Sequence, residues 1–262
     1  HQAQRTQSCM SDKFRVITWN IGGGLLATTS LEGQKSKLDA ILELAESEEA
    51  DMIAIQEAGC SLRSLQKALP KNFKAYGHAH KQLVFWIIRV GWSARIMARG
   101  SDASGRIVAV RLAGKHGARQ ICVAFYGIAG ASSGGDKLNQ QEALLQKMER
   151  MLDKKLRKEK SCLIAGDINQ TLRKSEGKTG NASSIRRFRE FTEGLGFVSA
   201  LLHLNDGKGT SKDLYSLDRG SRGQTLIDHI LTEPQEILQS RIIKTVKISD
   251  HWPVLADIRS HI

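Results

Sequence analysis

Aromatic residues make up only 5% of the 262-residue chain, and only three prolines occur. So few aromatics leave little material for stacking successive bases, which argues against a dedicated reader of single-stranded nucleic acid. With no Pro-rich stretch there is no linker-like composition, and the length suits one large or two small domains with a sizeable core. No apolar run reaches the roughly 20 residues that a membrane-spanning helix needs. The opening residues His1 to Ser8 are polar and carry no secretory signal core. A start at His1 rather than Met is expected of a processed product, a trimmed chain or a piece of a longer polyprotein. The four cysteines, Cys9, Cys60, Cys122 and Cys162, form no close CxxC pair, which argues against a structural zinc. Cys122 and Cys162 lie in apolar runs, where Cys acts as a small hydrophobe. We read the thiols as reduced and the protein as intracellular and nuclear, although spacing by itself leaves a disulfide open.

Acidic residues are also in deficit. Against 39 Lys and Arg stand 27 Asp and Glu, for a net charge of +12. A charge that large is self-repelling and calls for a polyanionic partner: DNA, RNA or an anionic membrane surface. A basic surface without a partner is the alternative.

Short apolar runs alternate with amphipathic stretches, the pattern of an α/β protein. Strands are predicted at Phe14–Trp19, Met52–Gln56, Leu83–Ile88, Ile107–Leu112, Ile121–Tyr126, Cys162–Ala165, Leu226–Leu231 and Val254–Ile258. Leu38, Ile41, Leu42 and Ala45 mark one helix face, and Leu62, Leu65 and Leu69 a shorter one ending before Pro70. Leu138, Leu145, Met148, Leu152 and Leu156 mark a long helix whose last turns are rich in Lys and Arg. Ile185, Phe188 and Phe191 mark another, with Ser183 or Ser184 as the expected cap.

Five segments carry the chemistry: Ile17-Thr-Trp-Asn20, Ile53-Ala-Ile-Gln-Glu57, Ala165-Gly-Asp-Ile-Asn169, Leu226-Ile-Asp-His229 and Ser249-Asp-His-Trp-Pro253. Each lies beside an apolar strand and carries a carboxylate, carboxamide or imidazole. Burying such a group costs several kcal/mol unless it is paired or metal-bound. Five in a row point to convergence on one polar site. No phosphate loop of the Walker type is present, because Gly22–Gly24 lacks the Lys-Ser/Thr ending.

In their order and identity these segments resemble the motif set of the endonuclease/exonuclease/phosphatase superfamily, the deoxyribonuclease I-like enzymes, over nearly the whole chain from Trp19 to Pro253. The resemblance implies a four-layer α/β sandwich, two packed mixed β-sheets flanked by helices, formed by residues 13–262 as a single domain behind a polar tail, 1–12. It implies a metal site at Asn20, Glu57 and Asp250, whose hard oxygens suit Mg²⁺ or Mn²⁺. It implies that Asp167 orients or deprotonates the attacking water. Asn169 then helps hold the phosphate or that water, His251 binds the scissile phosphate and Asp228 pairs with His251. Tyr126 falls where the family uses a Tyr hydroxyl, although Phe125 and Gly127-Ile-Ala-Gly130 depart from the usual neighbours. Gln56 is expected to shape the site through hydrogen bonds, and His229 to pack within a strand. Substitution of Asp167 or His251 is expected to remove turnover and leave folding nearly intact.

The superfamily includes enzymes acting on small phosphoesters, so substrate must be argued from charge. Basic residues cluster after the GDxN segment (Arg173, Lys174, Lys178, Arg186, Arg187, Arg189) and before Asp228 (Lys208, Lys212, Arg219, Arg222). Contacts to a phosphate backbone are their natural use, with a solvated surface as the alternative; Tyr215 is a further candidate contact. We expect a monomeric, DNA-nicking endonuclease of the non-LTR retrotransposon type acting on double-stranded DNA, leaving a 3′-hydroxyl and a 5′-phosphate. An apurinic repair endonuclease, a phosphatase acting on phosphoinositides and an inert nucleic-acid-binding module are the rival expectations.

Overall fold

The computed structural model describes residues 13–27, 36–101, 103–114, 119–152, 161–173, 182–205, 214–220 and 224–259. Two six-stranded mixed sheets pack face to face. The first runs β13 (Ile237–Ile242), β14 (Val254–Arg259), β1 (Lys13–Asn20), β2 (Met52–Gln56), β4 (Val84–Arg89), β3 (Phe73–Gly77). The second runs β5 (Ser93–Ser101), β6 (Ile107–Ala113), β7 (Arg119–Tyr126), β8 (Ser161–Asp167), β12 (Asp228–Thr232), β9 (Val198–Ser199). A short hairpin pairs β10 (Leu217–Asp218) with β11 (Gln224–Thr225).

Each sheet is built around one parallel pair, β1 with β2 and β7 with β8, with antiparallel neighbours outside. Parallel neighbours require a crossover, and helices supply both. α1 (Lys37–Ser47) links β1 to β2, and α3 (Gly135–Met151) links β7 to β8. α1 opens with a capping box in which Ser36 and Asp39 satisfy each other's backbone groups. α2 (Leu62–Ala68) is capped by Ser61, and α4 (Ala182–Leu195) and the short α5 (Ala200–Asn205) complete the helices among the described residues. α4 begins at Ala182, so Ser183 and Ser184 lie in its first turn rather than at its cap. The basic end expected for the long helix, residues 153–160, lies outside the described residues, as does the 1–12 tail.

Strand alternation sorts the side chains into layers. Val16, Met52, Ala54, Trp86, Val108, Ala124, Leu163, Ile230 and Ala256 fill the space between the sheets. Ile17, Trp19, Ile53, Ile55 and Phe85 point the other way, under Leu38, Ile41 and Leu44 of α1 and Leu65 of α2. Ile121, Val123, Phe125, Cys162 and Ile164 lie under Leu145 and Met148 of α3 and Phe188 and Phe191 of α4. The order helices, sheet, sheet, helices is the four-layer sandwich expected from the sequence. Trp86 Nε1 donates across the inter-sheet core to the Val108 carbonyl at 3.0 Å, so the one polar atom of a fully buried indole is satisfied.

The glycine of the GDxN segment has a packing cause. A Cβ on Gly166 would lie 1.9 Å from the Phe125 carbonyl oxygen, a backbone atom of the paired strand β7. Gly166→Ala must therefore separate the parallel pair at the centre of its sheet. We expect it to lower stability by about 3 kcal/mol or more, read as a fall in the urea midpoint; an unchanged midpoint would show that the sheet can yield there.

Candidate active site

The alternation that fills the inter-sheet core also delivers the polar site. Asn20, Gln56, Tyr126, Asp167 and Asp228 share the inward parity of Val16, Met52, Ala124, Ala165 and Ile230, and each occupies a strand terminus. They fall at the carboxyl ends of the four central parallel strands and at the amino end of antiparallel β12, so they converge on one rim. The register makes this explicit: Asn20 stands across from Gln56, Tyr126 from Asp167, and Asp228 from Asp167. Glu57 and Asn169 follow β2 and β8 directly, and His251 lies in the segment that leads into β14. Glu57 and Asn169 both have left-handed backbones, φ 54° and 56°, a conformation that non-glycine residues occupy at a cost and that recurs at functional sites.

Two hydrogen-bond networks lie side by side, one holding Asp167 and one holding Asp228, and ligand atoms of Asp167, Asp228 and His251 come within 4.8 Å of one another. In the first, the Asn20 side-chain amide donates to Glu57 Oε1 at 2.8 Å and to Asp167 Oδ2 at 2.9 Å, while its oxygen accepts from Gly22 N. The Tyr126 hydroxyl donates to the same Glu57 oxygen at 2.6 Å. Asn169 N donates to Asp167 Oδ1 at 2.9 Å, and its side-chain amide reaches the Gly127 carbonyl at 3.3 Å. In the second, His251 Nδ1 lies 2.8 Å from Asp228 Oδ2, which also accepts from Ser216 Oγ at 2.7 Å. Ser216 is held in turn by the Ile227 and Asp228 amides. Trp19 Nε1 donates to the His251 carbonyl at 3.0 Å, which ties the segment after β13 to β1.

Burial sets the electrostatics. Asp167 and Asp228 are 1% and 0% exposed and His251 is 5% exposed. Burial first, and then the Asp228 charge, push the Asp167 carboxyl up to about 7, against the opposing pull of His251 and the Asn20 and Asn169 hydrogen bonds. Burial by itself lowers the His251 imidazolium. The Asp228 charge and hydrogen bond, aided by Asp167 and Asp250, outweigh it and raise the group to about 9. His251 is therefore a cation at neutral pH, with its orientation fixed through Nδ1. Burial, followed by the bond to Glu57, raises the Tyr126 hydroxyl and keeps it a donor.

The site can hold a divalent metal. Asp167, Asp228 and His251 offer ligand atoms within 4.8 Å of one another. Asp228 Oδ1 is buried without a hydrogen-bond partner among the described residues, and Glu57 adds a further carboxylate through the shared Asn20 amide. Hard oxygens dominate this set, which suits an oxygen-seeking cation. The proximity of His251 and its raised basicity pull in opposite directions here. An imidazolium engaged with Asp228 through Nδ1 is a poor ligand, so the carboxylates are the better donors of this set.

The structure thus brings Asn20, Glu57, Asp167, Asn169, Tyr126, Asp228 and His251 together. Asp250 stands at the rim, half-exposed, with Arg219 Nε 3.8 Å from its carboxylate. Gln56 is fully buried; its oxygen accepts from Thr18 and its amide nitrogen has no partner among the described residues. His229 faces the other side of its sheet, tilted against Phe188 and bonded to Ser199. Arg187 is ion-paired with Glu142 at 3.0 Å and Arg186 with Glu190 at 3.7 Å, on helices α3 and α4. Arg189 supports the segment after Asn169 through the Leu172 carbonyl, and Arg173 is half-buried. The Tyr215 ring lies under Lys244 Nζ, 4.0 Å from its centroid. Lys174, Lys178, Lys208, Lys212 and Arg222 lie outside the described residues. Ser216 was not legible in the sequence: it belongs to no motif and acts on Asp228 only because β10 folds beside the segment that carries His251.

Comparisons with known proteins agree with this architecture. The chain is similar to the AP endonuclease LMAP of Leishmania major, with a TM-score of 0.73 at 17% identity over 95% of this chain and 88% of that one. It is similar to the 3′-5′ exonuclease NExo of Neisseria meningitidis, with a TM-score of 0.70 at 16% identity over 94% and 99%. The endonuclease domain of TRAS1, a telomere-specific non-LTR retrotransposon, gives 0.66 at 15% identity over 94% and 98%. Identities this low establish the shared fold. No curated protein sequence matches the chain. The profile of the Endonuclease/Exonuclease/phosphatase family matches residues 17–251, a span that holds every residue of the site just described, and the chain belongs to that family.

Proposed function

We propose that the chain is a divalent-metal-dependent phosphodiesterase that nicks double-stranded DNA, of the kind found in non-LTR retrotransposons. The observation that carries this reading is the placement of Asp167, a buried carboxylate hydrogen-bonded into an oxygen-rich network and lying within 4.8 Å of a buried imidazolium–carboxylate pair. Asn20, Glu57 and Asp167 would hold Mg²⁺ or Mn²⁺, with Asp250 at the rim; a cation there neutralises the phosphate and leaving oxygens. Asp167 faces both networks and orients the attacking water. His251, cationic and fixed by Asp228, binds the scissile phosphate together with Asn169, so charge gathering at phosphorus meets a preorganised positive field. Tyr126 keeps Glu57 in place by donating to it. The +12 charge and the retrotransposon endonuclease among the structural neighbours support DNA as the substrate.

Incubation with supercoiled plasmid and Mg²⁺ should give open circles ending in 3′-hydroxyl and 5′-phosphate. EDTA, or Asp167→Asn, should abolish them. Binding to duplex DNA should weaken steeply with salt, by about 0.9 in the log–log slope for each phosphate contact. Intact plasmid alongside turnover of abasic duplex, RNA or a soluble phosphoinositide would replace this substrate assignment with the one observed.

A further inference from the structure

Arg106 takes no part in the chemistry outlined above, yet it is anchored at two points of the site. It stands directly across from Tyr126, one step beyond the register in which Ile107 pairs with Phe125, and its carbonyl accepts from Tyr126 N at 2.9 Å. Its guanidinium lies over the Tyr126 ring, with Cζ 4.7 Å from the centroid. The same group donates through Nη1 to the Gly127 carbonyl at 2.8 Å and to the Tyr126 carbonyl at 3.3 Å. The Gly127 carbonyl is also the acceptor for the Asn169 side-chain amide. Gly127 N donates to the Asp167 carbonyl at 2.7 Å. A Cβ at residue 127 would lie 2.1 Å from the Ile168 carbonyl oxygen, so the turn fits closely against the GDxN segment.

We propose that Arg106 is the positioning residue for the Tyr126–Asn169 side of the active site. Its plane sets the ring whose hydroxyl reaches Glu57 Oε1, and its donors fix the carbonyl on which Asn169 rests. One half-buried cation thus orients a group beside the metal ligands and a group that holds the phosphate. One feature of this contact needs a guanidinium rather than any positive charge: a flat face laid on the ring while Nη1, at its edge, donates to both adjacent carbonyls. Lysine at this position offers a point charge that can serve the carbonyls or the ring face but not both at once. The inference rests on the proposed phosphodiesterase reading only for its kinetic arm.

The test is a mutant cycle on the full chain with Mg²⁺ and a short duplex substrate. Arg106→Ala should lower kcat by about 10- to 100-fold, the range usual for residues that orient active-site groups, with KM nearly unchanged. Arg106→Lys should recover little of that loss. In a Tyr126→Phe/Asn169→Ala background the same Arg106→Ala change should cost less than about threefold, because the groups through which it acts are gone. An additive loss in that background, or full activity in Arg106→Lys, overturns the proposal. A crystal structure of Arg106→Ala decides it independently of turnover: the Tyr126 hydroxyl should leave Glu57 and the Asn169 amide should leave the Gly127 carbonyl. Both contacts intact would overturn it. A wild-type protein that cleaves no duplex while these contacts break would overturn the substrate reading and leave Arg106 its role.

Discussion

Asp167→Asn should lower turnover by at least about a thousandfold, within the range that positioned acid–base groups contribute, while the protein melts no lower than the wild type. The first half follows from geometry. Asp167 Oδ2 accepts from Asn20 and Oδ1 from the Asn169 amide. An asparagine of the same shape keeps one acceptor and turns an N–H toward one of two donors, and it loses the negative charge that would draw a metal and orient water. The second half follows from the sign of the pKa shift. The folded carboxyl titrates at about 7, above its ordinary 3.8. Ionising it therefore opposes folding increasingly as pH rises from 3.8 through 7, and the neutral amide removes that opposition. Stability spent at a site of chemistry is the familiar trade. Nicking kinetics and a melting curve at pH 8 check both halves. Retained turnover would sink the role given to Asp167, and a lower melting point would sink the electrostatic account.

His251→Ala should be the more damaging change, because it acts on two counts. Turnover should fall by a similar factor, since the fixed positive charge at the phosphate is lost. The fold should suffer as well, contrary to the expectation from sequence. Asp228 is fully buried and His251 is its only cationic partner among the described contacts. Removing one member of a buried pair leaves an uncompensated charge, a loss of about 3 to 5 kcal/mol, or about 5 to 10 °C in melting temperature for a domain of this size. Asp228→Asn combined with His251→Ala should recover much of that stability and none of the activity. The pH dependence follows from the same pair. The folded imidazole titrates at about 9 against 6.5, so its contribution to stability is fully present below pH 6.5 and is lost as pH rises through about 9. The alkaline limb of kcat/KM should fall near 9, and in Asp228→Asn it should move to lower pH. An alkaline limb unmoved in that variant would show that His251 is not held as a cation by Asp228.

Much of this molecule is decided locally. Near-continuous apolar runs mark the central strands β1, β2, β4, β6, β7, β8, β12 and β14 because each is buried on both faces along most of its length. The polar residues that end these strands, from Asn20 to Asp228, are conspicuous for the same reason: a carboxylate or carboxamide at the end of a buried run has to be doing something. β3, β5 and β13 left no such mark. They lie at sheet edges, where one flank meets solvent and sequences such as Phe73–Gly77 or Ile237–Ile242 mix charge with apolar residues. The motif order thus names the family and marks the polar residues that the fold gathers at one rim.

What local pattern could not decide is which group holds which. The bonds that make the site join residues far apart in the chain: Asn20 to Asp167 across 147 positions, Tyr126 to Glu57 across 69, Trp19 to the His251 backbone across 232. Ser216 and Arg106 reach the site across shorter spans, 12 and 20 to 21 positions, through strand and loop pairing that no local pattern shows. Arg186 and Arg187, a basic run in sequence, are tied to Glu142 and Glu190 once α3 and α4 pack together. Periodicity is a property of neighbours within a turn or a pleat and is written in the sequence. Partnership, and with it every pKa in the site, depends on which strand ends the closed sandwich brings within about 3 Å of each other, the reach of a hydrogen bond, and that is decided only when the two sheets meet.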